Sequence, residues 1–136
     1  MALRAMLHFD MLRLFGPVYA KDSDKKAIPY YNKQTNSPEP ILTAKEVAEK
    51  VVADLEEART LLANDPVKTE GTLMSGSQDG TSNFMRYRAL RMNYYAVEAL
   101  LARAYLYMGD KADAFKYATD VIKTADQGIF PFVDKS

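Results

Sequence analysis

The sequence holds no cysteine, no tryptophan and a single histidine. Without cysteine there is no disulfide framework, no thiol nucleophile and no zinc site built on thiolates. Charge of one sign is not in excess: 18 Lys and Arg stand against 18 Asp and Glu, for a formal net charge of zero. Strong non-specific binding to a phosphate backbone is thereby excluded, and no nucleic-acid partner is expected. No apolar run is long enough to cross a bilayer. The stretch poorest in charge, Asn93 to Met108, contains Glu98 and Arg103 and falls short of a span. The N-terminus does not read as a signal peptide, because Arg4, His8, Asp10 and Arg13 interrupt its apolar residues and no small-residue cleavage site follows. The chain opens directly on structure, a first hint that something upstream has been removed.

What is present is globular material. The 136 residues are 48% apolar and 26% charged. That is one domain's worth of chain, with too much apolar surface to be disordered as a whole.

The pattern predicts an all-α fold of about four helices with two long loops and no strand sheet. The first helix runs from Ala2 to Phe15 and stops at Gly16-Pro17, a C-terminal glycine followed by a helix-incompatible proline. At about 100° per residue its apolar side chains do not form one stripe. Leu3, Leu7, Met11 and Leu14 share one side; Ala2, Ala5, Phe9 and Leu12 share the other. Such a helix is expected to be buried on more than one face. A loop from Gly16 to Leu42 follows, carrying four prolines and charges of alternating sign.

The second helix is the clearest. Thr43 stands as N-cap with Glu46 three residues on, a capping box. Val47, Val51, Leu55, Ala58 and Leu62 form a single stripe, and the helix ends near Ala63. A second loop, Asp65 to about Ala89, includes Gly71, Gly76 and Gly80. The third helix, roughly Arg91 to Met108, is again apolar nearly all round, broken only by Glu98 and Arg103. Gly109 ends it and Asp110 caps the fourth helix, whose inner face is read as Ala114, Phe115, Ala118, Val121, Ile122 and Ala125. Gly128 ends that helix, and an extended apolar tail, Ile129 to Val133, follows.

Only Gly109-Asp110 joins the last two helices, so they form a tight antiparallel hairpin. Around it, Ala102, Tyr105, Gly109, Asp110 and Ala114 match one tetratricopeptide repeat, although the repeat's later aromatic and final proline are missing. The first two helices would be a second pair, opened by the long loop. Repeat hairpins bury their faces by stacking on neighbours, which accounts for two helices that are apolar all round.

Four stretches in order resemble the SusD/RagB family. Ala2-Leu-Arg-Ala through Leu14-Phe-Gly-Pro17 is similar to the family helix ending in Leu-Phe-Gly-Pro. Thr43, Glu46-Val47, Asp54-Leu55 and Ala58 resemble the helix that follows a Pro-rich loop. Glu98 to Asp110, reading Leu-Ala-Arg-Ala-Tyr-Leu-Tyr-Met-Gly-Asp at its end, resembles the third stretch, with Ala114, Ala118, Val121 and Ile122 after it. Gly128-Ile-Phe130 resembles the family's exit, with Phe where Tyr is usual.

The resemblance implies a non-enzymatic, surface-exposed, lipid-anchored protein of the outer membrane. It would bind an oligosaccharide or other nutrient and cap a SusC-like TonB-dependent transporter. Its repeat helices would be scaffold and docking surface, with the ligand site built mostly from loops elsewhere, and no cofactor is implied. The lipidated cysteine and the larger C-terminal part are not in this sequence, so residues 1–136 are expected to be one helical region excerpted from a larger SusD-like chain, or else a reduced relative. The alternative is a stand-alone helical-repeat adaptor that binds a protein or peptide partner; the two long loops favour the first.

The residues themselves give few sites. His8 has no partner at ligand spacing and reads as an interhelix or core histidine. Glu98 and Arg103 read as satisfied interhelix polar groups. Arg86, Arg88 and Arg91 read as helix-flanking solvation or ion pairing. The run Gly71 to Gly80 lacks the Lys-Ser or Lys-Thr ending of a phosphate loop, and Asp79 alone makes no calcium loop. No nucleophile, base and acid can be assembled into a catalytic set, so no enzyme is expected. Aromatic faces stack on sugar rings, and of the loop tyrosines Tyr30 and Tyr31, with Asn32 and Gln34, best combine aromatic surface with amide donors and acceptors. These four are the candidate ligand contacts; no metal ligands are expected.

Overall fold

The computed structural model describes residues 1–71 and 87–129. The Gly-rich run beyond Gly71, Arg86 and the tail from Phe130 to Val133 lie outside the described residues. The four long helices are α1 (Ala2–Phe15), α3 (Ala44–Leu61), α5 (Tyr94–Met108) and α6 (Lys111–Asp126). Two one-turn helices, α2 (Tyr19–Asp22) and α4 (Val67–Glu70), and a 3₁₀ turn at Arg88–Leu90 lie between them. The all-α reading stands, and the long helices pack in chain order: α1 on α3, α3 on α5, α5 on α6.

The first long connection is more structured than expected. Besides α2 it holds β1 (Lys26–Pro29) and β2 (Ile41–Thr43), paired antiparallel with Lys26 opposite Thr43 and Pro29 opposite Ile41. Periodicity did not reveal these strands because each is too short to show an alternation. Their apolar residues Ala27, Ile28 and Leu42 pack partly buried against the core formed by the helices. Strands this short are stabilised by that tertiary contact rather than by their own propensity.

Helix α3 is the centre of the molecule. Val47, Val51, Leu55 and Ala58 are buried, as the stripe predicts. Each fully buried Val or Leu contributes about 2 kcal/mol of apolar burial. The capping box is formed: Thr43 Oγ1 accepts from the Glu46 N–H at 3.2 Å, and Glu46 Oε2 accepts from the Thr43 N–H at 2.7 Å. At the hairpin, Gly109 has φ 88°, a left-handed conformation that favours glycine. Asp110 accepts from the Asp113 N–H at 3.1 Å.

Three expectations need correction. Helix α5 begins at Tyr94 rather than Arg91, because the Asn93 side chain accepts from the Ala96 N–H and caps it there. The inner face of α6 is Ala114, Tyr117 and Thr124; Phe115 is 74% exposed and Ile122 is half-exposed. Tyr117 reaches inward because its ring stacks on Tyr105 and its hydroxyl donates to Glu56 of α3, so a polar-tipped aromatic takes the place read for Phe115. Helix α1 is buried on one face only. Ala5, Phe9 and Leu12 are buried, while Leu3, Leu7 and Leu14 are 59%, 60% and 73% exposed. The elements that pack on α1, which are α3, β1 and α5, leave that side open.

Candidate functional site

The candidate contacts lie where β1 ends and the connection to β2 begins, against α1 and α3. Arg4 of α1 clasps Asp54 of α3 through Nε and Nη2, both at 2.6 Å. The Tyr30 hydroxyl donates to the same carboxylate at 2.6 Å. The third guanidinium nitrogen of Arg4 donates to the Asn32 carbonyl at 2.9 Å. His8, one turn on from Arg4, stacks on the Tyr30 ring with centroids 4.1 Å apart. Its Nδ1 lies 2.8 Å from the Arg4 carbonyl, which can only accept, so Nδ1 carries the proton. Nε2 then accepts the Tyr31 N–H at 3.0 Å. His8 is thus an interelement histidine that fixes the backbone of this loop.

This cluster divides the four candidates. Tyr30 is buried and serves as the anchor. Tyr31, Asn32 and Gln34 are exposed on the segment that the anchor holds. Of the residues that do the anchoring, His8 was read as an interhelix or core histidine, while Arg4 and Asp54 were not singled out from residue types alone. Arg4 and Asp54 sat inside the family-like stretches, which was the one available signal. Asp54 otherwise looked like part of the solvent face of its helix.

Electrostatics suit anchoring. Burial pushes the Asp54 carboxyl up, but the hydrogen bonds from Arg4 and Tyr30 outweigh it and the net shift is downward. Burial, reinforced by the bond to Asp54, raises the Tyr30 phenol well above its ordinary value. The carboxylate stays ionised and the phenol stays neutral. Neither is poised to exchange a proton near neutrality.

Two further ion pairs tie the hairpins together. Glu98 is 2% exposed and accepts from Arg59 Nε at 3.0 Å, so it is the satisfied interhelix group expected. The Arg59 guanidinium also lies 5.5 Å from the ring centroids of Tyr94 and Tyr117. Arg88 is ion-paired: Nε donates to Asp65 Oδ1 at 3.0 Å, and the same carboxylate accepts the N–H groups of Val67 at 3.2 Å and Tyr94 at 3.1 Å. Burial raises the Asp65 carboxyl, and the bonds from Arg88 and the two N–H groups overcome that and lower it. Arg103 differs from the expectation. It is exposed and faces the Phe9 ring at 6.0 Å, with no carboxylate paired to it among the described residues. Beside it an open apolar groove of about 370 Å³ runs between α5 and α6, lined by Ala99, Ala102, Leu106, Ala118 and Val121.

Among the described residues, no group of three or more His, Asp or Glu side chains could hold a metal ion, and no helix is long and apolar enough to cross a membrane. No protein-family model matches the sequence, and no curated protein matches it. Among solved structures, a SusD superfamily protein from Bacteroides vulgatus matches at 32% identity with a TM-score of 0.69, over 93% of this chain. The chain spans 24% of that protein's length. Its helical order, the motif stretches and this structural match together make the chain a SusD-like helical segment.

Proposed function

We propose that this segment is helical scaffold and transporter-docking surface in a nutrient-binding protein of a TonB-dependent outer-membrane uptake system. The observation that carries the reading is the match to a SusD superfamily protein along almost the whole chain. The segment would belong to a larger polypeptide, lipid-anchored on the outer face of the outer membrane, that binds an oligosaccharide and holds it over a SusC-like transporter. Its role is non-enzymatic. In support, the shifted side chains are driven away from neutrality: Asp54 and Asp65 stay ionised in ion pairs, and Tyr30 and Tyr117 stay neutral.

Within this reading Tyr31, Asn32 and Gln34 make a ligand-contact patch. Tyr31 offers an aromatic face to a sugar ring, and the two amides offer donors and acceptors. The anchor beneath pre-orders the backbone of Tyr31 and Asn32 at both ends of the Arg4 and His8 contacts, which lowers the entropic cost of binding. The test is binding of the full polypeptide to an oligosaccharide array, with Tyr31→Ala beside it. Binding is expected, and Tyr31→Ala is expected to weaken it about five-fold or more. No sugar bound would contradict the nutrient reading; equal binding by the variant would remove the patch.

A further inference from the structure

We infer that His8 is a positioning residue of the Tyr31, Asn32 and Gln34 patch that works only with a neutral ring, so that the patch is held near neutral pH and released in acid. The ring makes two contacts of opposite sense. Nδ1 donates to the Arg4 carbonyl at 2.8 Å, and Nε2 accepts the Tyr31 N–H at 3.0 Å. An added proton leaves the first contact intact, because Nδ1–H still faces a carbonyl. It removes the second, because Nε2–H then faces the Tyr31 N–H and two donors cannot bond. The ring itself stays seated. It stacks on Tyr30 with centroids 4.1 Å apart and planes tilted by 30°, and a cation against an aromatic face is attracted. What moves is the backbone of Tyr31, a residue 39% exposed whose N–H can turn to water.

Titratable and charged groups meet at this point from each element packed there: Arg4 from α1, Tyr30 from β1 and Asp54 from α3, with Lys33 and Glu39 on the segment itself. The three that form the anchor keep their charge states near neutrality. Against the cost of burial, the bonds from Arg4 and Tyr30 hold the Asp54 carboxyl low. Burial, and then the bond to Asp54, holds the Tyr30 phenol high. The bond to Asp54 holds the Arg4 guanidinium charged. Histidine is the side chain whose charge changes between about pH 5 and about pH 8, so His8 can switch while its surroundings stay constant. Of the two anchor bonds to the backbone of Tyr31 and Asn32, only the one from Arg4 to the Asn32 carbonyl then remains. The consequence for ligand binding rests on the proposed sugar contact; the switch itself rests on the hydrogen-bond pattern alone.

Amide exchange in the full polypeptide, resolved to single residues by fragmentation mass spectrometry, tests it. Each rate is divided by the intrinsic rate at the same pH, which cancels the chemical pH dependence of exchange. Between about pH 8 and about pH 5 the Tyr31 amide is expected to lose protection about five-fold or more. The Ala44 amide, which bonds the Lys25 carbonyl at 3.0 Å at the end of the same connection, is expected to keep its protection. His8→Gln presents an amide that does not titrate, and Tyr31 is expected to be equally protected at both pH values. His8→Phe keeps a ring on Tyr30 but has no acceptor, and Tyr31 is expected to be weakly protected at both. Equal protection of Tyr31 at both pH values in the unsubstituted protein overturns the inference, as does a pH dependence that persists in His8→Gln. Parallel loss at Ala44 assigns the change to general loosening and also overturns it. Sugar binding is read at the same two pH values and is expected to weaken in acid. Equal sugar affinity at both, with Tyr31 released in acid, removes His8 as a positioning residue for binding. Acid release of Tyr31 with no sugar bound at either pH keeps the switch and discards the nutrient reading; bound sugar with unchanged Tyr31 protection does the opposite.

Discussion

Asp54 accepts two bonds from Arg4 and one from Tyr30, and it ties α1, β1 and α3 to one point. Tyr30→Phe removes one hydrogen bond from a charged acceptor. It is expected to cost about 1.5–3 kcal/mol in chemical denaturation, with the fold retained. The pH response follows from the downward shifts of Asp54 and Asp65. Their folded values lie below the unfolded value of 3.8, so the unfolded chain takes up protons first as the pH falls. The stability they contribute is complete above that value and is lost as the pH drops through the folded values. Thermal melts between pH 6 and pH 2 should show the midpoint falling below about pH 4, and less steeply in Asp54→Asn. Residue identity alone could not reveal this cluster. His8, Tyr30 and Asp54 come together only when three elements pack, and nothing in their spacing marks them as neighbours. Glu98 was readable because a lone acid on an apolar helix requires a partner; that the partner is Arg59 was not.

Helix boundaries with a strong local signal were legible, but the start of α5, capped by the single side chain of Asn93, was not. The capping box at Thr43 and Glu46 is a four-residue signal, and it is formed as read. Thr43→Ala should cost about 1 kcal/mol, measured by denaturant unfolding. Gly16 was read as the glycine that ends α1, and it does stand at the C-cap, with φ −78°, open to any residue. Space is the reason for glycine there, because a Cβ would come within 2.4 Å of the Leu12 carbonyl oxygen. Gly16→Ala is therefore expected to destabilise the end of α1 and shift the start of the following segment, visible as faster exchange of the residue-16 amide that bonds the Leu12 carbonyl. The strands β1 and β2 were missed since their stability comes from the helices beneath them. The free stripe of α1 makes an opposite prediction. Leu7 is 60% exposed, so Leu7→Lys should change stability by no more than about 0.5 kcal/mol while lowering the binding of a dye that reports apolar surface.

At the scale of the whole molecule, two stacked hairpins leave one side of α1 and one side of the α5–α6 pair open to water. The sequence already pointed to that condition, because two helices apolar nearly all round need more neighbours than four helices supply. Which faces stay open was a matter of packing order and required the structure. The order of motif stretches carried the family further than any single residue did, and the solved relative agrees over 93% of the chain. The ligand patch at Tyr31, Asn32 and Gln34 is the least legible part, since exposed loop side chains satisfy no packing rule that sequence could reveal. The most direct measurement is affinity isolation of the full polypeptide from detergent-solubilised outer membranes, followed by mass spectrometry of what is bound to it. The account predicts a TonB-dependent transporter in near-stoichiometric amount. Recovery from the soluble fraction with no transporter bound would contradict it.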